Sequence, residues 1–192
     1  MAETSIPADT KEPEITPEEI LILQDKKFNS KNVCVVSGSG TGISRATAIA
    51  AAVNKLMTVG LDINEEEGNK TQKMARELGG QMIFIKTELT RDEDIENAIQ
   101  EAAKIGTIKY LANIAGIQHI DSVDNFPMEK YDLMQRLMLR APFYLSKLAI
   151  GHMKKSADGL GVIGNMASVH AHICTKNKPV YNITKFGLKA LS

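Results

Sequence analysis

The chain has 192 residues, 43% of them hydrophobic, and its 23 basic and 23 acidic side chains give a formal net charge of zero. That length supports one domain with a sizeable core and does not comfortably support two. Balanced charge without a block of Lys and Arg gives nucleic acid no electrostatic footprint, and no apolar stretch approaches the length of a membrane span, so neither partner is expected.

The opening MAETSIPADTKEPEITPEE is acidic and polar where a secretory leader is basic and then apolar, which predicts a cytoplasmic protein. Residues 1–15 are rich in Pro, Thr and Glu without apolar periodicity and are expected to be disordered. Thr16, Pro17 and Glu19 then spell a helix cap, a first-turn proline and a capping-box acid ahead of Ile20, Leu21 and Leu23. Residues 1–30 therefore read as a polar extension carrying one short amphipathic helix.

From residue 32 onward, short apolar runs alternate with longer helical patterns, as parallel strands joined by crossover helices do. The runs are VCVV (33–36), MTVGL (57–61), MIFI (82–85), IKYLANIA (108–115) and GVIGNMAS (161–168). Helical patterns lie near 42–54, 64–78, 91–104 and 129–153, with Gly79-Gly80 and Asp158-Gly159 as stops and Pro142 bending the fourth. Continuous apolar strands imply a sheet covered on both faces. Residues 31–192 are thus expected to form one α/β domain, a doubly wound Rossmann-type parallel sheet with its ligand crevice at the carboxyl ends of the strands. Cys34 and Cys174 are too far apart in sequence and context to suggest a disulfide framework or a metal pair, and read as free thiols.

The first crossover carries VSGSGTGISRA at residues 36–46. Gly38, Gly40 and Gly42 let backbone approach a pyrophosphate closely, and the following helix offers free N–H groups and a positive dipole end. A plain tight turn is the alternative. Asp62 closes the second strand twenty residues past Gly42, where a carboxylate accepts hydrogen bonds from an adenosine ribose. Its charge opposes a 2′-phosphate, favouring NAD over NADP. A helix-capping role is the other reading of Asp62, though Asn64 is better placed for that. Arg45 reads as a solvated surface arginine.

YLANIAGIQH at residues 110–119 and SVHAHICTKNKPVYNITK at 168–185 carry the remaining signal. Ser168 precedes Tyr181 by thirteen positions, and Lys185 follows by four, which puts tyrosine and lysine on one helix face. Together with the glycine loop, this ordered set resembles the short-chain dehydrogenase/reductase family from about residue 31 to the end. The family's TGxxxGxG corresponds to Ser37, Gly38, Gly42 and Ser44, and its NNAG to Asn113, Ile114, Ala115 and Gly116.

The resemblance implies an NAD-dependent enzyme. Its cofactor would be held by Gly38, Gly40, Thr41, Gly42, Ile43, Asp62, Glu88, Asn113, Ala115 and Gly116, with Tyr181 and Lys185 at the nicotinamide end. Ser168, Tyr181 and Lys185 would be catalytic. A free tyrosine, with a pKa of about 10, is a poor acid–base group near neutrality unless a cation favours its phenolate. Lys185 would supply that charge and hold the nicotinamide ribose. Tyr181 would exchange a proton with the substrate oxygen while hydride moves to or from the nicotinamide, and Ser168 would hydrogen-bond that oxygen.

Within the family, ASVHAH with a lysine ten residues past the serine is most similar to the (R)-3-hydroxybutyrate dehydrogenases. That likeness implies that Gln118, His170 and Lys178 bind a substrate carboxylate, so the expected reaction interconverts a small 3-hydroxy acid and its 3-oxo acid. Each also has an ordinary reading, as a turn glutamine, a hydrogen-bonded loop histidine and a solvated loop lysine. His170 and His172 lack a third ligand at useful spacing, and no metal is expected.

Two features depart from the family. Its W-x6-N frame places Met138 where an asparagine completes the proton relay, and Met138 also fits a packing stripe with Leu133, Met134, Leu137 and Ala141. The chain also stops inside the helix that carries Lys185, so a sixth and seventh strand and a lid are expected to be missing. The resemblance implies a homo-oligomer, usually a tetramer. Alternatives remain a catalytically weakened dinucleotide-binding member acting as a sensor or partner, and a dehydrogenase for another secondary alcohol.

Overall fold

The computed structural model describes residues 14–192. Residues 1–13, on which most of the expected disordered start falls, lie outside the described residues. Five strands, β1 (Asn32–Ser37), β2 (Met57–Asp62), β3 (Gln81–Lys86), β4 (Thr107–Asn113) and β5 (Val162–Asn165), form one parallel sheet in the order β3-β2-β1-β4-β5. The register pairs Ser37 with Leu61 and Leu61 with Ile85, so the carboxyl ends of the first three strands lie level.

Alternation along β1 divides the core in two. Val33 and Val35 face α3 (Asp92–Ile105) and the later helix of residues 141–153, whereas Cys34 and Val36 face α1 (Gly42–Val53) and α2 (Glu65–Glu77). All four are buried, which is why the run reads as continuously apolar. Asn64 caps α2 by accepting from Glu67 N–H at 3.2 Å, as its position suggests. Among the described residues, no helix is long and apolar enough to cross a membrane.

The fourth helical pattern divides into α4 (Met128–Gln135), a π-helical turn at Arg136–Arg140 and α5 (Ala141–Met153). Ala141 N–H reaches back to Arg136 C=O, one residue beyond the α-helical partner. Pro142 follows directly and has no N–H of its own. The expected bend is therefore a wider turn of the same helix, which accommodates a proline without a full break.

The N-terminal expectation needs correction. Glu19 accepts from Thr16 N–H at 3.2 Å, but the capping box closes only one 3-10 turn, Pro17–Glu19, before Ile20 becomes extended. Leu23 N–H then donates to Asn54 Oδ1 at 2.7 Å, and Asn54 Nδ2 donates to Leu21 C=O at 3.0 Å. Ile15, Ile20 and Phe28 pack on the same core cluster as α1. Apolar burial against the domain has overridden local helix propensity, and the segment is an extended strap.

Cys34 is buried in β1, where burial pushes its thiol up to about 12, while Cys174 is exposed. The native protein should therefore react with one equivalent of a thiol reagent at neutral pH, and with two in denaturant. Two equivalents in the native state would contradict the placement of Cys34.

Candidate functional site

The glycine loop is built by close approach. Gly38 has φ +75, and a Cβ there would stand 2.8 Å from Ala115 Cα. Its N–H and that of Ser39 both donate to Leu61 C=O, at 2.7 and 3.0 Å, pinning the loop to the end of β2. Gly40 N–H donates to Asp62 Oδ2 at 2.8 Å, and a Cβ at Gly40 would stand 2.9 Å from that oxygen. Asp62 Oδ1 accepts from Asn64 N–H at 2.9 Å. The carboxylate is thus held in place by backbone, at the lip of the loop.

Beneath the loop, Ser37 joins β1 to the end of β4. Its hydroxyl oxygen accepts from Ile114 N–H at 2.9 Å and Ala115 N–H at 3.2 Å, and its proton goes to Ala112 C=O at 3.3 Å. The sequence marks Ser37 only as a motif position. Arg45 is no surface arginine: it is 1% exposed, and its guanidinium donates to Gly40 C=O, to Glu67 and to Thr71 Oγ1, the last at 2.9 Å. It supports the glycine loop from below. Burial of a charged group is tolerated there because each contact is a charge-assisted hydrogen bond.

A cleft of about 770 Å³ runs along the carboxyl edge of the sheet from this loop to α6 (Pro179–Ala190). Gly38, Thr41, Ile43, Asp62, Glu88, Ala115 and Gly116 line it at one side, and Gln118, Ser168, Tyr181 and Lys185 at the other. Lys185 is 4% exposed, so burial lowers its pKa below the usual lysine value, and its ammonium donates to Met166 C=O at 2.6 Å. The same nitrogen lies 5.5 Å from the centroid of the Tyr181 ring. Ser168 Oγ accepts from His170 N–H at 3.2 Å, which leaves its own proton for another acceptor.

A family model described as short chain dehydrogenase matches residues 32–192. The chain belongs to the short-chain dehydrogenase family. An uncharacterized oxidoreductase of Thermotoga maritima is 32% identical over 161 residues, 83% of this chain and 62% of that protein. D-beta-hydroxybutyrate dehydrogenases of Rhizobium meliloti and Cupriavidus necator are each 28% identical, over 81% and 84% of this chain and 60% and 62% of their own lengths. The chain spans about 60% of the length of these relatives.

In this short-chain dehydrogenase, some family positions stand apart from the cleft. Asn113 is buried, donating to Asn165 Oδ1 at 2.9 Å and Ser146 Oγ at 3.3 Å, so it ties β4 to β5 and α5 from beneath. Gly40, Gly42, His170 and Lys178 also lie outside the lining, Lys178 as the half-buried N-cap of α6. Ser44 faces the cleft, its hydroxyl 3.2 Å from where a Gly38 Cβ would stand. Thr87, Thr90, Ile117 and Met166 line the cleft without having been singled out in the sequence. Their signal was positional, since Thr87 and Met166 directly follow strands and Thr90 and Ile117 lie four residues past strand ends. Glu88 is oriented by Thr90, whose N–H and hydroxyl donate to it at 3.1 and 2.8 Å.

Met138 is fully buried in a cluster with Met134 and Val180, against which Tyr181 packs, and its sulfur lies 3.2 Å from where a Gly116 Cβ would stand. Packing is therefore its role in the fold. Met138→Asn is expected to lower stability by about 1–3 kcal/mol through an unpaired buried amide. Urea unfolding measures this, and an unchanged midpoint would show that the amide finds partners.

Proposed function

We propose that this family member is an NAD-dependent oxidoreductase that interconverts a small 3-hydroxy acid and its 3-oxo acid by hydride transfer. The observation that carries the reading is the placement of Ser168, Tyr181 and Lys185 on one wall of a cleft whose other end holds Asp62 and the glycine loop. The cradle fits a dinucleotide: a Cβ at 38 or 40 would collide with Ala115 or with the Asp62 carboxylate, so glycine there lets the loop fold tightly over the strand ends, and Asp62 at its lip is an acceptor for the two hydroxyl donors of a ribose diol. A bound nicotinamide dinucleotide supplies the hydride acceptor or donor.

The chain's own residues handle the proton. In oxidation, the hydroxyl proton of the substrate passes to Tyr181 as hydride leaves the same carbon. Lys185 favours the anionic ring oxygen that receives that proton, and Ser168 donates to the substrate oxygen through the transition state. Gln118, lining the cleft, His170, beside Tyr181, and Lys178, three residues before Tyr181, are the groups we assign to the carboxylate. The names of the relatives from Rhizobium meliloti and Cupriavidus necator support the choice of a 3-hydroxy acid.

Purified protein incubated with NAD and a panel of small hydroxy acids should form NADH fastest with 3-hydroxybutyrate. Lys178→Ala should raise the KM for that acid roughly 10- to 100-fold, as loss of a hydrogen bond to a charged group does, with kcat little changed. Turnover of other secondary alcohols that is insensitive to Lys178 would shift the substrate class. NAD binding without any turnover would favour a weakened member acting as a sensor, the reading that buried Met138 supports.

A further inference from the structure

Ser44 stands where the family's opening motif has its last glycine, and its hydroxyl has no task within the fold. It is the third residue of α1, only 6% exposed, and it lines the cleft. Hydroxyls in helices commonly bond back to a carbonyl three or four residues earlier, as Thr47 does to Ile43 C=O at 2.8 Å. For Ser44 both of those carbonyls are already engaged. Thr41 C=O accepts from Arg45 N–H at 3.2 Å, and Gly40 C=O accepts from the Arg45 guanidinium. Among the described residues, Ser44 Oγ makes no hydrogen bond. It lies over Gly38, 3.2 Å from where a Cβ there would stand, so the missing side chain of Gly38 leaves the room that the hydroxyl occupies.

The loop in front of it is short of donors for an anion. The N–H groups of Gly38 and Ser39 are turned inward to Leu61 C=O, and that of Gly40 to Asp62 Oδ2. Arg45, the nearest cation in sequence, points beneath the loop, with Gly40 C=O, Glu67 and Thr71 Oγ1 among its acceptors. What α1 does present to the cleft is its first turn, whose N–H groups have no acceptor inside the helix and which carries no acidic residue. A hydroxyl at position 44 adds one movable donor to that turn.

We propose that the Ser44 hydroxyl donates to the pyrophosphate of the bound dinucleotide, a contact that glycine at this position could not make. The inference rests on the reading of the cleft as a nicotinamide dinucleotide site. A hydroxyl bonding an anionic oxygen is a charge-assisted contact, and alanine or glycine at 44 would leave the phosphates one donor short.

Fluorescence titration of the full chain with NADH, and displacement of that NADH by ADP-ribose or adenosine, tests the contact. Ser44→Ala should weaken NADH and ADP-ribose roughly 10- to 100-fold, as loss of a hydrogen bond to a charged group does, while adenosine, which has no phosphate, changes less than about twofold. Ser44→Gly should weaken the same two ligands. Tighter binding by either variant would show that the hydroxyl crowds the phosphates, and would overturn the inference. An equal loss for adenosine would assign the effect to a loosened loop and overturn it as well.

Binding alone decides the matter, so the contact is separable from the proposed activity. The expected losses in a protein that oxidises no hydroxy acid would support the contact and count against the proposed reaction. NADH affinity indifferent to both substitutions would overturn the contact and leave the cofactor reading standing. Wild-type protein that binds neither NADH nor ADP-ribose would overturn the cofactor reading and the contact with it.

Discussion

Tyr181→Phe is expected to lower kcat by roughly 10²- to 10⁴-fold, the range lost with a general acid–base group, while NADH affinity stays within about threefold. The substitution removes only a hydroxyl. The ring remains between the Lys185 ammonium, 5.5 Å from its centroid, and the edge of His170. Packing and the cofactor cradle should therefore survive. Steady-state kinetics with a fluorescence titration of NADH separates the two effects, and an unchanged kcat would remove Tyr181 from the chemistry. Burial also lowers the pKa of Lys185, so its charge is lost as pH rises through a value below the 10.5 of a solvated lysine. The alkaline fall of kcat should begin correspondingly early.

The second large effect lies below the cleft. Arg45→Leu is expected to destabilise the fold by about 3 kcal/mol, the lower part of the range for breaking a buried ion pair, because Glu67 is 29% exposed. For a chain of this size that is a fall in Tm of roughly 6–12 °C, read by thermal unfolding. The loss is large because the guanidinium serves several acceptors at once, Gly40 C=O, Glu67 and Thr71 Oγ1 among them. Arg45→Lys should rescue little, since an ammonium cannot reproduce the fork. The hydrogen bond from Arg45 is the main reason the Glu67 carboxyl stands below its ordinary 4.5. A lowered carboxylate contributes stability above its ordinary pKa and loses it as pH falls through the lowered value. The gap in Tm between wild type and Arg45→Leu should therefore narrow in acid, and a gap independent of pH would argue against the pair.

Much of the architecture was legible because it rests on local signals. The five apolar runs became five parallel strands; the central β1 and β2 are buried on both faces as their unbroken apolar runs imply, whereas the edge strand β5 is exposed to half-buried along its length, so the expected cover of both faces fails there. Gly38 and Asp62 came together at the cleft because strand ends in such a sheet share an edge. Tyr181 and Lys185 came together because they lie four residues apart on one helix.

Other features were settled only by contacts between distant segments. Thr16 to Glu19 spells a helix start, yet Asn54, thirty-one residues beyond Leu23, draws the chain into an extended strap. Pro142 announces a bend, but its form as a π-turn depends on how α4 and α5 pack. Arg45 has no local mark of burial, because the acceptors that bury it come from the glycine loop and from α2. Asn113 matches the family's motif and serves the joint between β4, β5 and α5. Periodicity and spacing, which act over a few residues, determined the fold class, the cleft and the tyrosine–lysine pair from the sequence by itself. Which polar side chains face the cleft and which hold the scaffold was decided by tertiary structure, because a buried donor or acceptor takes its role from partners that only the folded chain brings within 3 Å or so.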